Sequence, residues 1–313
     1  MPFVGIGVGV GRQRFSQGGG GVLPFEFTIK TDNAGVSTST QFQLPLVSSL
    51  PLNAVVDWGD STTDTITTFN QAETLHTYAS SGTYTIKITG DLSGWEFNNG
   101  GDRLKILNIA SWGVLNISVA NGFYGCGNLT ATATDAPLIS STSLAQCFRS
   151  CTNFNGAIGN WDVSAVTSLS ESFRDCTNFN GAIGNWDVSS VTNMGGIFYT
   201  ARAFNQDIGN WDVSSVTNMF RFFRGAQAFN QDIGSWDVSN VTNFGDFMSG
   251  KTAALYSAAN LDSIYNGWSS LPSLSPNESI TFGTAKYNAS AQAGKDILTS
   301  APNNWTIVDG GQV

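Results

Sequence analysis

Charged side chains are scarce in this chain of 313 residues. Asp, Glu, Lys and Arg make up 12% of it, about half the share in an average globular protein. Such a composition, rich in Gly, Ser, Thr and Asn, is typical of β-rich proteins that work outside the cell or on a particle. The formal charge is −9, so we expect no nucleic-acid partner, because phosphate binding requires clustered Lys and Arg. The sequence also lacks a run of about 18 apolar residues, so we expect no membrane span.

The chain contains a single histidine, His76. Without a second one, a Ser-His-Asp or Cys-His pair is excluded anywhere else, and His76 itself is expected to hold a turn by hydrogen bonding. The glycines of residues 5–9 lack the strand-helix context and the following lysine of a nucleotide-binding loop. We therefore expect no catalytic residue, no cofactor and no enzymatic activity.

Cysteine is also rare, with four residues. Cys126, Cys151 and Cys176 are equally spaced, and alanine takes the same place further on. A position that accepts Cys or Ala favours buried free thiols, although a disulfide between neighbours is an alternative. Cys147 lies one helical turn before Cys151, and the lack of C-x-x-C spacing argues against zinc.

A 25-residue repeat dominates the middle of the chain. The words FNGAIGNWDVS and FNQDIG(N/S)WDVS, each followed by a V-T word, begin at four equally spaced residues: Phe154, Phe179, Phe204 and Phe229. A period of this length marks a stack of units, none of which buries its apolar face alone. We predict about six units between residues 100 and 250, with degenerate copies at the start.

Each unit is predicted to contain a short strand and a short helix. Trp186 and Val188 are two residues apart, which is the alternation of a strand with one buried face. Apolar residues at i, i+3, i+7 and i+10 then form one helical stripe: Val191, Met194, Phe198 and Ala201. Ser190 precedes this stripe as a candidate helix cap.

The repeats resemble those of the BspA-like leucine-rich-repeat surface proteins, whose units carry F-N-x-x-I-x-x-W-[DN]-[VT]-S followed by V-T-N-M-x-x-[MI]-F-x-x-A. The match is residue by residue over residues 204–214 and 216–219, and it includes Phe223 and Ala226. The resemblance covers nearly half of the chain. It implies a leucine-rich-repeat-like fold, an extracellular or surface setting and an adhesive or binding role, without naming a ligand.

Another set of words lies in residues 23–98. Residues 54–61 form a predicted strand that ends in W-G-D-S, and residues 76–88 carry H-T-Y and G-T-Y-T-I. They resemble the W-G-D-G and H-x-Y-x-x-x-G-x-Y-x-V signatures of the PKD domain, with Ser61 and Ile86 as mild departures. The resemblance implies an immunoglobulin-like β-sandwich that acts as a spacer or an auxiliary binding module.

The N-terminus is the candidate point of attachment. Residues 1–12 lack the basic start and unbroken apolar run of a secretory signal. Either the chain is already processed or it reaches the outside without a signal, and we favour the second, as for phage virion proteins released by lysis. Alternating Val or Ile with Gly can add as a strand to a partner's sheet edge; a disordered glycine-rich tail is the equal alternative. The candidate anchor residues are Phe3, Val4, Ile6, Val8, Val10 and Arg12.

Together these patterns predict a multidomain α+β fold. We expect a glycine-rich anchor or tail at residues 1–22, a PKD-like, immunoglobulin-like β-sandwich at 23–98, a leucine-rich-repeat-like α/β solenoid at 99–250 and a C-terminal α/β cap at 251–313. The ending N-W-T-I-V-D-G-G resembles the close of many flavobacterial members of the BspA-like family. It is expected to cover the open end of the stack.

One file of polar residues is the candidate binding face. If the tryptophan and valine of each W-D-V-S word point inward, the residues between them point outward, with neighbouring units about 5 Å apart. Their carboxylates would then repel one another unless each Asp accepts hydrogen bonds within its own Asp-Val-Ser turn. The alternatives are a face for a sugar or a protein, or a calcium site. The face comprises Asn160, Asp162, Ser164, Asn185, Asp187, Ser189, Asn210, Asp212, Ser214 and Asp237.

Two other files are expected inside the stack. The repeat tryptophans are favoured as core rather than as an exposed platform for sugars. The asparagines of the F-N word are expected to form an internal ladder that bonds the backbone from unit to unit: Asn155, Asn180, Asn205 and Asn230.

These observations favour a non-enzymatic surface binding or display protein. The first hypothesis is a phage virion protein, a fibre or a capsid or tail decoration, anchored by its N-terminus and presenting the repeats to the host surface. The alternative is a bacterial cell-surface adhesin or an extracellular glycan-binding accessory protein. Expected partners are a larger virion or cell-surface assembly and a host glycan or protein, with a homo-oligomer left open.

Overall fold

The computed structural model of this chain describes residues 22–47 and 51–313. The six candidate anchor residues all lie outside these ranges, and the anchor therefore stays a prediction: Phe3, Val4, Ile6, Val8, Val10 and Arg12.

Short strands form the first part of the described chain. In chain order they are β1 (Phe25–Lys30), β2 (Gln41–Gln43), β3 (Asn53–Asp57), β4 (Thr63–Ile66), β5 (Leu75–Thr77), β6 (Thr83–Asp91), β7 (Ile106–Ser111), β8 (Asn116–Ile117), β9 (Thr130–Ala131) and β10 (Leu138–Ile139). A six-stranded sheet has the order β4-β3-β6-β1-β7-β9, and β2-β5 and β8-β10 form two-stranded sheets. The strand alternation predicted around β1 is confirmed, because Phe25, Phe27 and Ile29 are fully buried.

The large sheet is mixed, and it continues into the first repeats. Strand β1 pairs antiparallel with β6 on one side and with β7 on the other, whereas β7 pairs parallel with β9. Hydrogen bonding thus crosses the domain boundary that we predicted after residue 98. The strands before the repeats and the first repeat strands share one sheet.

Residues 142–250 form a stack of 25-residue repeats. Single parallel bridges join the same position of successive repeats: Ser143 to Ser168, Ser168 to Asn193, Asn193 to Asn218 and Asn218 to Asn243. The phenylalanines of the F-N word form a continuous column inside, with successive ring centroids 6.0, 6.0 and 6.1 Å apart. Each repeat therefore buries its apolar side chains against its neighbours.

The predicted fold class, a β-sandwich followed by an α/β solenoid with a helix in each unit, is wrong. Most regular elements of the described chain are strands in open, mixed sheets, and residues 142–250 contain no helix. The second half of each repeat is a run of hydrogen-bonded turns instead. Its spacing of apolar residues misled the prediction, because turns that repeat every four residues bury nearly the same positions as a helix.

Backbone conformation explains why these segments are not helical. Gln146 and Ser150 have φ of +57° and +60°, and Glu171 and Asp175 have φ of +56° and +61°. A left-handed residue every fourth position interrupts any right-handed helix. The free N–H groups bond to the next repeat, as from Leu144 to the Ser168 carbonyl at 3.0 Å.

Two helices and a small sheet follow the stack. Helix α1 (Ala258–Ser269) leads to β11 (Ser279–Thr281), then α2 (Gln292–Thr299) and β12 (Thr306–Val308), which pairs parallel with β11. The Ser257 hydroxyl caps α1 by accepting a hydrogen bond from the Asn260 N–H at 3.2 Å. Within residues 22–47 and 51–313, no helix is long and apolar enough to cross a membrane.

Candidate binding surfaces

The four aspartates of the W-D-V-S words lie on one exposed side of the stack, which we call the acidic edge: Asp162, Asp187, Asp212 and Asp237. In each of the first three, Oδ1 accepts the hydroxyl of the serine two residues later at 2.6 Å and the N–H of that serine at 3.0–3.1 Å. Asp237 accepts the Ser239 N–H at 3.0 Å. The turn-forming interpretation of these residues is therefore confirmed.

The serine contacts also set the charge of the acidic edge. Hydrogen bonds from the Ser189 hydroxyl and N–H lower the pKa of Asp187, and the Ser214 hydroxyl and N–H lower that of Asp212. The negative charge of Asp187 opposes this lowering of the Asp212 pKa. Because both pKa values lie below the ordinary value of an aspartate, Asp187 and Asp212 are anions at neutral pH.

The remaining members of the predicted face accompany this edge. Asn160, Asn185 and Asn210 are exposed, and Asn160 donates a hydrogen bond from Nδ2 to the Thr134 carbonyl at 3.0 Å. The serines are half-buried: Ser164, Ser189 and Ser214. The structure thus places every predicted face residue along the stack, and their role in binding stays a prediction.

The tryptophans of the repeat are core residues, as predicted, so the alternative of a sugar-stacking platform is wrong. Trp161, Trp186, Trp211 and Trp236 are at most 5% exposed. From Trp186 onward, each indole N–H donates to the isoleucine carbonyl of the preceding repeat, at 2.9–3.1 Å. Trp268 of α1 continues the file with a bond of 3.2 Å to the Ile233 carbonyl. Helix α1 therefore replaces the next repeat.

The asparagine ladder and the thiols follow the prediction in part. The Oδ1 of Asn155, Asn180 and Asn205 accepts the N–H of the next asparagine at 2.8–2.9 Å. The bonding is confirmed, but these side chains lie at the surface rather than inside. All four cysteines are buried free thiols, as predicted, and the Cys176 Sγ donates to the Phe148 carbonyl at 2.7 Å.

A second surface, which the sequence interpretation missed, carries most of the positive charge of the stack. We call it the arginine face, and it consists of Tyr124, Arg149, Glu171, Arg174, Asp175, Tyr199, Phe220, Arg221, Arg224 and Asp246. The Arg149 guanidinium lies 4.9 Å from the Tyr124 ring centroid, and that of Arg174 lies 4.7 Å from the Tyr199 centroid. Such cation–π contacts hold the long arginine side chains flat against the stack.

Two carboxylates each bridge a pair of these arginines. Glu171 contacts Arg149 and Arg174 at 2.6 and 2.7 Å, and Asp246 contacts Arg221 and Arg224 at 3.3 and 2.7 Å. Burial alone would raise the pKa of Glu171, but hydrogen bonds from Arg174 and Gln146 and the two arginine charges leave it lowered. Glu171 is therefore an anion at neutral pH.

Position within the repeat would have revealed this face. One equivalent position of successive repeats is occupied by Tyr124, Arg149, Arg174, Tyr199 and Arg224. A search for identical words overlooks such a column because its residue type changes. The useful signal is a position that is polar or aromatic in every repeat and next to a buried phenylalanine.

Comparison with known protein families finds a match to part of the chain. The sequence profile of a family described as "Mycoplasma protein of unknown function, DUF285" matches residues 142–260. The repeats are similar to that family. The match spans the stack and the start of α1, which is less than half of the chain. No curated protein and no solved structure matches the chain.

A buried lysine closes the stack. Lys251 follows Ala226 by one repeat length and so continues the file of Cys and Ala. It is 3% exposed, and its ammonium group donates to the carbonyls of Ala226, Gln227 and Phe229 at 2.5, 3.0 and 2.6 Å. Burial lowers the pKa of Lys251 to about 7. Lys251 therefore supplies hydrogen bonds to the Gln227 and Phe229 carbonyls that a small apolar residue could not make.

His76 holds a turn, as predicted. Its Nε2 is 2.8 Å from Asp60 Oδ2, and its ring stacks on Trp58 with centroids 4.5 Å apart. The other oxygen of Asp60 accepts the Thr62 hydroxyl at 2.6 Å. Within the described ranges, no group of three or more His, Cys, Asp and Glu side chains is placed to hold a metal ion.

Proposed function

We propose that this chain is a non-enzymatic surface binding and display protein, and that the repeat stack is the rigid scaffold that carries its binding surfaces. The observation that supports this most is the repetition of one exposed turn. The same Asp and Ser recur in four successive repeats, three of them with the same pair of hydrogen bonds, above a continuous aromatic core. A surface that presents the same side chains at regular intervals suits a partner that is itself repetitive or extended, because several contacts then form together.

The favoured setting is a phage virion, where the protein is a fibre or a capsid or tail decoration that contacts the host surface. The support comes from the sequence: residues 4–11 alternate Val or Ile with Gly, a pattern that can add as a strand to a partner's sheet edge. The N-terminus attaches to the larger assembly in this hypothesis. The stack then projects away from it.

A bacterial cell-surface adhesin or glycan-binding accessory protein is the second candidate. The resemblance of the repeats to BspA-like surface proteins favours it, as does the matched family, whose description names a bacterium. Both candidates use the stack for binding. They differ in the assembly that carries it.

Binding of the whole chain to host cells and to an array of glycans tests the function. We expect binding that weakens in the double variant Asp187→Asn with Asp212→Asn, which keeps the shape of the turns and removes two charges. The matched control is Arg202→Gln, an exposed residue away from the acidic edge. Equal binding by both variants would show that the acidic edge is not the contact surface.

Deletion of residues 1–20 tests the attachment. We expect the shortened chain to keep its thermal unfolding temperature and to lose incorporation into the virion or the cell surface. Incorporation at the normal level would contradict the role of the N-terminus.

A further inference from the structure

The charges of the stack are divided unevenly over its surface. Residues 142–250 contain five arginines and nine acidic residues, without lysine or histidine. Four of the arginines lie on the arginine face with three acidic residues, which leaves that face with a net charge of +1. The rest of these repeats holds Arg202 and six aspartates, a net charge of −5. The arginine face thus carries a net positive charge, and the remainder of the stack carries a net negative charge.

These two surfaces are carried by different halves of the repeat. Arg174 lies midway between Asp162 and Asp187 in the sequence, half a repeat from each of them. No residue belongs to both surfaces, so the acidic edge of one molecule can meet the arginine face of another while its own arginine face stays accessible.

The arginine face keeps donors available for further carboxylates. Arg221 and Arg224 share Asp246, each through one nitrogen, and their side chains are 37% and 36% exposed. A guanidinium has five N–H donors, so most of these donors are open. Arginine and tyrosine are also the residues that concentrate in the centres of protein interfaces. The arginine face can therefore bind several anionic groups.

Both surfaces lie on one stack, whose repeats are joined by parallel bridges and follow one another at about 5 Å. The guanidinium groups do not recur in every repeat: Arg149 and Arg174 lie on successive repeats, and Arg221 and Arg224 share one repeat. A line of aspartates on a second stack can therefore meet two clusters of guanidinium groups.

We propose that the arginine face binds the acidic edge of a second copy of this chain. This inference rests on the proposed display function and names a partner for the acidic edge. Because the two surfaces differ, the contact is heterologous, and repeating it adds further copies in a row that either stays open or closes into a ring. The row is held by ion pairs between repeats of neighbouring molecules and is weakened by salt.

Sedimentation velocity of the purified full chain tests the proposal. We expect association at low ionic strength, with a dissociation constant that rises at least about tenfold when salt shortens the Debye length from about 30 to 8 Å. Two double variants, Arg221→Gln with Arg224→Gln and Asp187→Asn with Asp212→Asn, are each expected to be monomeric. Arg202→Gln is the control and is expected to associate like the wild type.

Mixing the two double variants is the decisive step. The arginine variant keeps an intact acidic edge, and the aspartate variant keeps an intact arginine face. The mixture is therefore expected to form one-to-one complexes that cannot extend into longer rows. Circular dichroism and thermal unfolding check that both are folded. A wild type that stays monomeric at low salt, or folded variants that do not associate when mixed, would overturn the proposal.

An anionic glycan is the competing occupant of the arginine face. A monomeric wild type that binds heparin through Arg221 and Arg224 would also refute the contact between copies. The assay contains no host cell, so it is independent of the test of the proposed function. Loss of host binding with retained self-association would refute the display function alone.

Discussion

Raising the pH is expected to stabilise the folded chain through Lys251. This side chain is 3% exposed, and burial lowers its pKa from an ordinary 10.5 to about 7. A lysine whose pKa is lower in the folded state favours folding as the pH rises from the folded pKa to the unfolded one. The free energy of unfolding then increases by up to about 1.4 kcal/mol per pH unit. Because the group is already half deprotonated at pH 7, the gain between pH 7 and pH 9 is about 2 kcal/mol.

Urea unfolding of the wild type and Lys251→Met at several pH values measures this effect. Methionine keeps an apolar stem of similar length and removes the ammonium group. Titrations of cysteine and tyrosine are common to both proteins, so the difference between them isolates Lys251. We expect the wild type to gain about 2 kcal/mol over the variant between pH 7 and pH 9. The same pH dependence in both would refute the reasoning, and it would mean that the three carbonyl acceptors keep the ammonium charged.

Three further changes test the packing of the repeats. A Cβ at Gly184 would lie 2.4 Å from a carbonyl oxygen of the next repeat, so Gly184→Ala is expected to lower the free energy of unfolding by about 1–3 kcal/mol; an unchanged urea midpoint would contradict this close contact. Trp211→Phe is expected to lower the free energy of unfolding by about 1 kcal/mol more than Trp161→Phe does. Of these two tryptophans, only Trp211 donates its indole N–H to a partner within the described chain. Equal losses would show that the hydrogen bond adds no stability. Ser214→Ala is expected to raise the carboxyl pKa of Asp212 in an NMR titration, and an unshifted curve would exclude the hydroxyl as its cause.

The inward positions of the repeat could be predicted from the sequence alone. Phe179, Trp186, Val188 and Met194 are all buried as expected. Burial depends on which residues recur in step, and the regular spacing of the repeats shows this without knowledge of the backbone. The same reasoning identified the free thiols and the outward aspartates.

The backbone between those positions could not be predicted in this way. An apolar stripe records which side chains face inward but not where the N–H groups bond. Here they bond to the neighbouring repeat, and the left-handed positions that permit this are occupied by Gln146, Glu171 and Arg221 as well as by glycine. Since these side chains give no sign of a positive φ, the helix was the natural interpretation. Only the stacking of several repeats makes the turns favourable.

The two candidate surfaces differ in the same respect. The acidic edge carries the same residues in successive repeats, so the recurrence of the W-D-V-S motif revealed it. The arginine face changes residue type from repeat to repeat, with Glu171, Arg221 and Asp246 at one equivalent position. Invariant residues report the contacts every repeat needs, and variable ones are free to form a specific surface. The variable column was therefore invisible to a search for identity.

The hydrogen bonds between repeats also affect how the number of repeats can evolve. Three asparagines of the ladder accept from the equivalent position of the next repeat: Asn155, Asn180 and Asn205. The segment from Phe154 to Ser164 is also identical to the segment from Phe179 to Ser189. Nearly identical coding segments in tandem misalign during recombination, which removes or inserts whole repeats. Because these asparagine bonds use equivalent positions, a gain or loss of one repeat keeps them and alters the length of the stack by about 5 Å. Length is thus a trait that selection can adjust in fixed steps without redesigning the fold.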